Sequence, residues 1–141
     1  MVLVSACLLG VRCRFDGSAA RVDTLIHEKS IRVHVPVCPE QLGGLTTPRE
    51  RAHLRGGGGM DVLDGNAVVV TEGGRDVTAH FIRGAEEVLG LALALDTRKA
   101  VFKDRSPSCG VSLVHRETGL ADGMGVTTAL LVRHGIEVEG I

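Results

Sequence analysis

The chain opens on an unbroken apolar run, Val2-Leu3-Val4, which is cut off by Ser5-Ala6-Cys7 and then by Gly10. Such a run predicts a short buried strand. Residues 12–18 are largely polar and predict a loop. Val22, Leu25 and Ile26 recur at i, i+3, i+4, which predicts a short helix over residues 22–30 with Asp23 and Thr24 in its first turn. Residues 31–37 alternate polar and apolar positions before ending apolar, the pattern of a second strand. Pro36 confines that strand to an edge or a bulge, because proline has no N–H to give to a ladder.

Further along, residues 67–71 (AVVVT) and the Gly73-Gly74 turn predict a small β-hairpin. The clearest helix follows. Phe81, Ala85, Val88, Leu89, Ala92 and Leu95 form one continuous apolar face, Arg83, Glu86 and Glu87 lie outside it, and Asp76 is the expected N-cap. Residues 99–102 (KAVF) predict a third short strand and residues 111–114 a brief extended segment. Residues 119–125 read as a loop, residues 126–134 as a helix closed by Gly135, and residues 136–139 as a final strand. The four-glycine run from Gly56 to Gly59 lacks the Lys-Ser/Thr of a phosphate-binding loop and the spacing of a dinucleotide fingerprint. It reads as a flexible loop or lid.

Alternating strands and helices predict an α/β fold: a single domain over residues 1–141, with a mostly parallel central sheet and helices on both faces. In such sheets ligands bind beyond the carboxyl ends of the strands. Three of the predicted strands run into a cysteine, at Cys7, Cys38 and Cys109. Far apart in sequence, these thiols are expected to meet at one sheet edge.

Composition narrows what they could do. The 141 residues are 44% hydrophobic and 23% charged, as in an ordinary soluble protein. Aromatic residues make up only 2%, with no Trp and no Tyr, so the stacking surfaces that bind single-stranded nucleic acid are not expected. A net charge of −1 argues against duplex DNA or an anionic membrane as partner. No stretch has the length of a membrane span, and the N-terminus lacks the charge pattern of a signal peptide. A cytoplasmic protein is expected, in which four cysteines point to metal binding or reactivity rather than to disulfides.

No C-x2-C pair is present, so the sequence carries no local metal motif. Cys7, Cys38 and Cys109 alone would leave one metal position open, as catalytic sites do; adding Cys13 would close a structural site. Glu40 follows Cys38 by two residues across Pro39 and offers a carboxylate for proton transfer. Ser106 and Ser108 flank Pro107 just before Cys109 and offer hydroxyls. Arg14, Asp16 and Arg49 either line the pocket or face water.

Five segments, SACLLGVRCRFDG, PVCPEQLGGLTTPR, GRDVTAHFIRGAEE, FKDRSPSCG and GVTTALLVRHGIEV, together resemble the thiouracil desulfidase family over nearly the whole chain. The resemblance implies non-redox removal of sulfur from a thiolated pyrimidine, a small-molecule substrate, to give the oxo base and sulfide. It implies a 4Fe–4S cluster held by Cys7, Cys38 and Cys109, with one iron open to the substrate sulfur. It further implies an acid–base role for Glu40 and a serine role in the SPSCG loop, at Ser106 or Ser108. Cys13 falls where some relatives carry an aliphatic residue and reads as a bystander. Residues 50–54 and 114–119 depart from the family pattern, both in segments expected near the pocket. Two other readings compete: a non-catalytic zinc module using all four cysteines, and a metal-free thiol sensor pairing Cys7 with Cys13.

Overall fold

The computed structural model describes residues 1–27 and 33–141. Four strands form a fully parallel sheet in the order β2 (His34–Val37), β1 (Val2–Ser5), β5 (Lys99–Phe102), β8 (Glu137–Gly140). β2 is an edge strand, which is how Pro36, paired opposite Val4, is tolerated. Helix α1 (Asp23–His27) forms as predicted. The rest of that predicted helix and residues 31–32 of the second predicted strand lie outside the described residues.

Side chains of β1 alternate between two cores, as the two-residue period of a strand demands. Leu3 packs with Val88, Ala92, Phe102 and Leu131, which places α4 (Thr78–Ala94) and α5 (Val126–Arg133) on one face. Val2 and Val4 pack with Leu8, Val101, Val22 and Leu25, which places the N-terminal loop and α1 on the other. Each fully buried aliphatic side chain of this kind contributes about 2 kcal/mol. Helices on both faces of a parallel sheet are thus what the pattern predicts.

A second sheet, which the pattern does not predict, has the order β4 (Val68–Thr71), β3 (Ala52–Arg55), β6 (Leu113–Arg116), β7 (Gly119–Asp122). Its outer pairs are antiparallel and its central pair is parallel. The long helix α4 joins the sheets. Phe81 and Ala85 pack with Leu54, Val69 and Val114 of the second, while Val88 and Ala92 pack with the first. Among the described residues no helix is long and apolar enough to cross a membrane.

Three local expectations are corrected. Residues 119–122 of the expected loop are strand β7, paired with β6 across a tight turn. The glycine run is an ordered turn rather than a lid: Gly59 begins α3 (Gly59–Leu63), and a side chain there would strike the backbone of Gly125. Asp76 lies one position before the cap, which is Val77, although its carboxylate still accepts the Thr78 N–H at 2.8 Å. The Gly73-Gly74 turn does form, with Val70 bridged to Asp76, but the main partner of β4 is β3.

Candidate functional site

Three adjacent strands, β2, β1 and β5, point their carboxyl ends at one edge of the parallel sheet. The chain leaves β1 toward β2 on one side and later returns to β5 on the other, so the switch in strand order falls at β1. A cavity of about 260 Å³ lies there. All four cysteines line it, together with Glu40, Ser106 and Ser108. Ala52 and His115 of the second sheet, with Arg51 just before β3, also line it.

Each thiol is delivered by a different local device. Beyond β1 the chain tightens into a 3-10 turn over Ala6–Leu9, which buries Cys7 and ends at Gly10 with φ 99°. Cys38 ends β2 and caps α2 (Pro39–Leu42), with proline in the first helical turn, where its missing N–H costs nothing. α2 is held by backbone contact with α4, since a side chain at Gly84 would overlap the Pro39 carbonyl.

Cys109 sits in a loop folded by two residues. Asp104 Oδ1 accepts N–H groups from Arg105, Val111, Ser112 and Leu113 at 2.9–3.1 Å. Burial pushes the Asp104 carboxyl up, but these bonds outweigh it and hold it below the usual range. Ser106 Oγ accepts the N–H groups of Ser108 and Cys109 at 3.1 and 3.2 Å. The amino end of α5 then docks on this loop: Thr127 N–H donates to Ser108 O, and Thr128 Oγ1 donates to Cys109 O at 3.0 Å.

The carboxylate and the hydroxyls meet inside the cavity. Ser108, 1% exposed, donates its hydroxyl to Glu40 Oε2 at 2.9 Å, and its oxygen lies 2.9 Å from Ser106 Oγ. Ser106 reaches the same carboxylate oxygen at 3.4 Å. The other oxygen, Glu40 Oε1, is paired with Arg49 Nε at 3.1 Å. Arg49 therefore does not face water: its side chain is 8% exposed.

Cys13, which the resemblance leaves out of the ligand set, also lines the cavity. It is 2% exposed, and its thiol interacts with those of both Cys7 and Cys38. Its hydrogen bond lowers the Cys7 thiol below the ordinary value, against burial and the neighbouring thiols. Cys38 is raised, because it donates to Cys13 and is buried. Cys13 itself is raised: the Cys38 bond pulls it down, but the Cys7 bond and burial outweigh it. Burial pushes Cys109 up to about 12, partly offset by the hydroxyl of Ser5.

Four residues that the sequence did not single out also face this space: Ser5, Arg51, Lys103 and His115. Burial, then Arg14 and Arg105, lower Lys103. Burial, then Arg51, Arg105 and Lys103, lower His115. Ser5 and Lys103 sit at strand ends beside the cysteine motifs, a position that marks them in hindsight. Arg51, just before β3, and His115, in β6, reach the cavity with the unpredicted second sheet.

The donor set is all thiol, and the space is far larger than one ion. Among the described residues, no three His, Cys, Asp or Glu side chains converge on one point as a single metal ion requires. Sulfurs tied to separate corners of a cluster stand further apart than sulfurs sharing one ion. Donor chemistry and room thus fit an iron–sulfur cluster, whose ligands are cysteine thiolates.

Fold and site together define an α/β protein with a thiol-lined cavity at the switch point of a parallel sheet. The family model described as 2-thiouracil desulfurase matches residues 2–140, and the chain belongs to that family. It is 42% identical over 144 residues to the uncharacterized protein YbbK of Bacillus subtilis (strain 168), covering 98% of this chain and 93% of that relative. A solved structure, that of the 4Fe–4S-dependent thiouracil desulfidase TudS, is 44% identical with a TM-score of 0.83, covering 99% of this chain and 89% of that one.

Proposed function

We propose that this protein removes sulfur from a thiolated pyrimidine such as thiouracil, with water as co-substrate, giving the oxo base and hydrogen sulfide. The observation that carries the reading is the placement of Glu40, Ser108 and four thiols around one cavity at the carboxyl edge of the parallel sheet. Membership of the 2-thiouracil desulfurase family and likeness to a 4Fe–4S-dependent desulfidase support the same reaction. Exchange of C=S for C=O by water needs no net electrons, so no reductant enters.

Cys7, Cys38 and Cys109 are the ligands of a 4Fe–4S cluster in this proposal, one from each of three adjacent strand ends. When bound, the cluster supplies a Lewis-acidic iron that draws electron density from the substrate sulfur. The remaining steps belong to side chains. Glu40 Oε2 takes one proton from the attacking water and passes it to the sulfur. It then takes the second from the added hydroxyl as the carbonyl forms and hydrosulfide leaves, and yields it to that hydrosulfide. The Ser108 hydroxyl, bonded to that same oxygen, relays the proton and donates to the oxygen that becomes the new carbonyl. Ser106 is committed to two backbone N–H groups, which makes Ser108 the reactive hydroxyl of the pair. Arg14, Lys103 and Arg105 line the cavity and offset the charge of the thiolates and the leaving hydrosulfide.

Anaerobic loading with iron and sulfide tests the ligand set. The expected result is a brown protein whose iron content and visible absorbance collapse in Cys7→Ala, Cys38→Ala and Cys109→Ala but persist in Cys13→Ala. One zinc per chain, lost in Cys13→Ala, would instead mean a metal module.

A further inference from the structure

We infer that Arg49 is the positioning residue of this site, fixing which way the Glu40 carboxylate faces; the inference rests on the reaction proposed above. Three of its partners, Glu40, Cys13 and Phe15, line the cavity. Nε pairs with Glu40 Oε1 at 3.1 Å, Nη2 donates to Cys13 O at 2.8 Å, and Nη1 donates to Thr47 Oγ1 at 3.0 Å. Its backbone N–H donates to Phe15 O at 2.7 Å. One residue thus clasps the Cys13–Phe15 segment from both main chain and side chain, and holds the carboxylate opposite. The Cys38 thiol approaches the same Cys13 carbonyl at 3.7 Å, so a proposed cluster ligand and the proton-handling carboxylate are referred to one guanidinium.

The carboxylate needs such a hold because it has somewhere else to go. A second cavity of about 220 Å³ lies against the first; Glu40 and Ala52 line both, and Arg49 lines the second. Thr46, Glu50, Thr71 and Arg75 are the other polar residues that line the second cavity. Glu40 stands between the two spaces, and Arg49 holds it there from the side of the second. Without the guanidinium, Glu40 has room to rotate away from Ser108 toward Arg75, and the proton path from Ser108 is cut. A planar guanidinium serves where an ammonium would not, since it spans the carboxylate and the Cys13 carbonyl at once.

The test compares Arg49→Met, Arg49→Lys, Glu40→Gln and the Glu40→Gln/Arg49→Met double variant, all loaded with cluster anaerobically. Arg49→Met is expected to keep its iron and absorbance while kcat falls about 100-fold, the scale of a misplaced catalytic group, with KM little changed. Arg49→Lys recovers part of that loss, and carries the comparison if Arg49→Met does not fold. In the Glu40→Gln background, removal of Arg49 costs little more, because it acts through Glu40. Losses that multiply in the double variant, or iron that disappears in step with activity, would overturn the inference. A crystal structure of cluster-free Arg49→Met separates this from the reaction itself. Glu40 turned into the second cavity supports the inference even if no thiolated pyrimidine is processed, and Glu40 still on Ser108 contradicts it.

Discussion

Ser108 and Glu40, 68 residues apart in the chain, share a 2.9 Å hydrogen bond inside the thiol-lined cavity. The contact exists because β2 and β5 flank β1 in one parallel sheet, so the helix after one and the loop after the other share an edge. The pair joins a proton donor to an acceptor beside the proposed metal ligands. Removing either member should therefore harm chemistry more than binding. Glu40→Gln is expected to lower kcat by about 10²–10⁴ and Ser108→Ala by about 10²–10³, with iron content unchanged in both. Steady-state sulfide release, normalised to bound iron, checks this; unchanged kcat in either variant would remove that residue from the proton path.

Ser106 holds the loop rather than the substrate. Its oxygen satisfies the N–H groups of Ser108 and Cys109, and Ser106→Ala leaves both without that acceptor. A loss of about 1–3 kcal/mol is expected in cluster-free protein. Urea unfolding of the two serine variants decides the assignment, with Ser106→Ala expected to be the less stable.

Gly125 gives way to no side chain. A Cβ there would lie 2.5 Å from Ser108 C and O, and the N–H groups of Val126 and Thr127 bond the carbonyls of Pro107 and Ser108 just beyond it. Gly125→Ala should push α5 off the Cys109 loop, costing about 1–3 kcal/mol and lowering cluster occupancy. Thermal unfolding and iron content read the two effects; unaltered values of both would mean that the loop yields freely.

Lys103 should react before Lys99 with an acylating reagent in cluster-free protein near neutral pH. Burial and the guanidinium groups of Arg14 and Arg105 disfavour its charged form, whereas Lys99 is paired with Glu139 at 3.4 Å. The folded chain then binds fewer protons than the unfolded chain between the lowered Lys103 value and the ordinary one. Its contribution to stability accordingly rises with pH across that window. Peptide mass spectrometry after brief acetylation should find Lys103 modified before Lys99; the reverse order would contradict the assignment.

β1 and β5 of the parallel sheet were legible because both are apolar runs buried almost throughout, while the more exposed β2 showed by its alternation. The second sheet was not. β3 reads AHLR and β7 reads GLAD, too short and too polar for a period to register, and both become strands through their neighbours. Three cysteines at strand ends could be read from the chain, since parallel topology fixes where strand ends go. The role of Cys13 could not, because the turn ending at Gly10 and the Arg49 clasp carry it back over the site. Nor could Arg49 be told from a solvated arginine, since its partners Glu40 and the Cys13 carbonyl are brought to it only by folding.

The most direct measurement is anaerobic incubation of cluster-loaded protein with 2-thiouracil and with 4-thiouracil, without reductant, following sulfide and uracil together. Desulfuration predicts sulfide and uracil in equal amounts over many turnovers from at least one of them, and none from the Cys109→Ala variant. A fully loaded wild-type protein that releases no sulfide from either would contradict it.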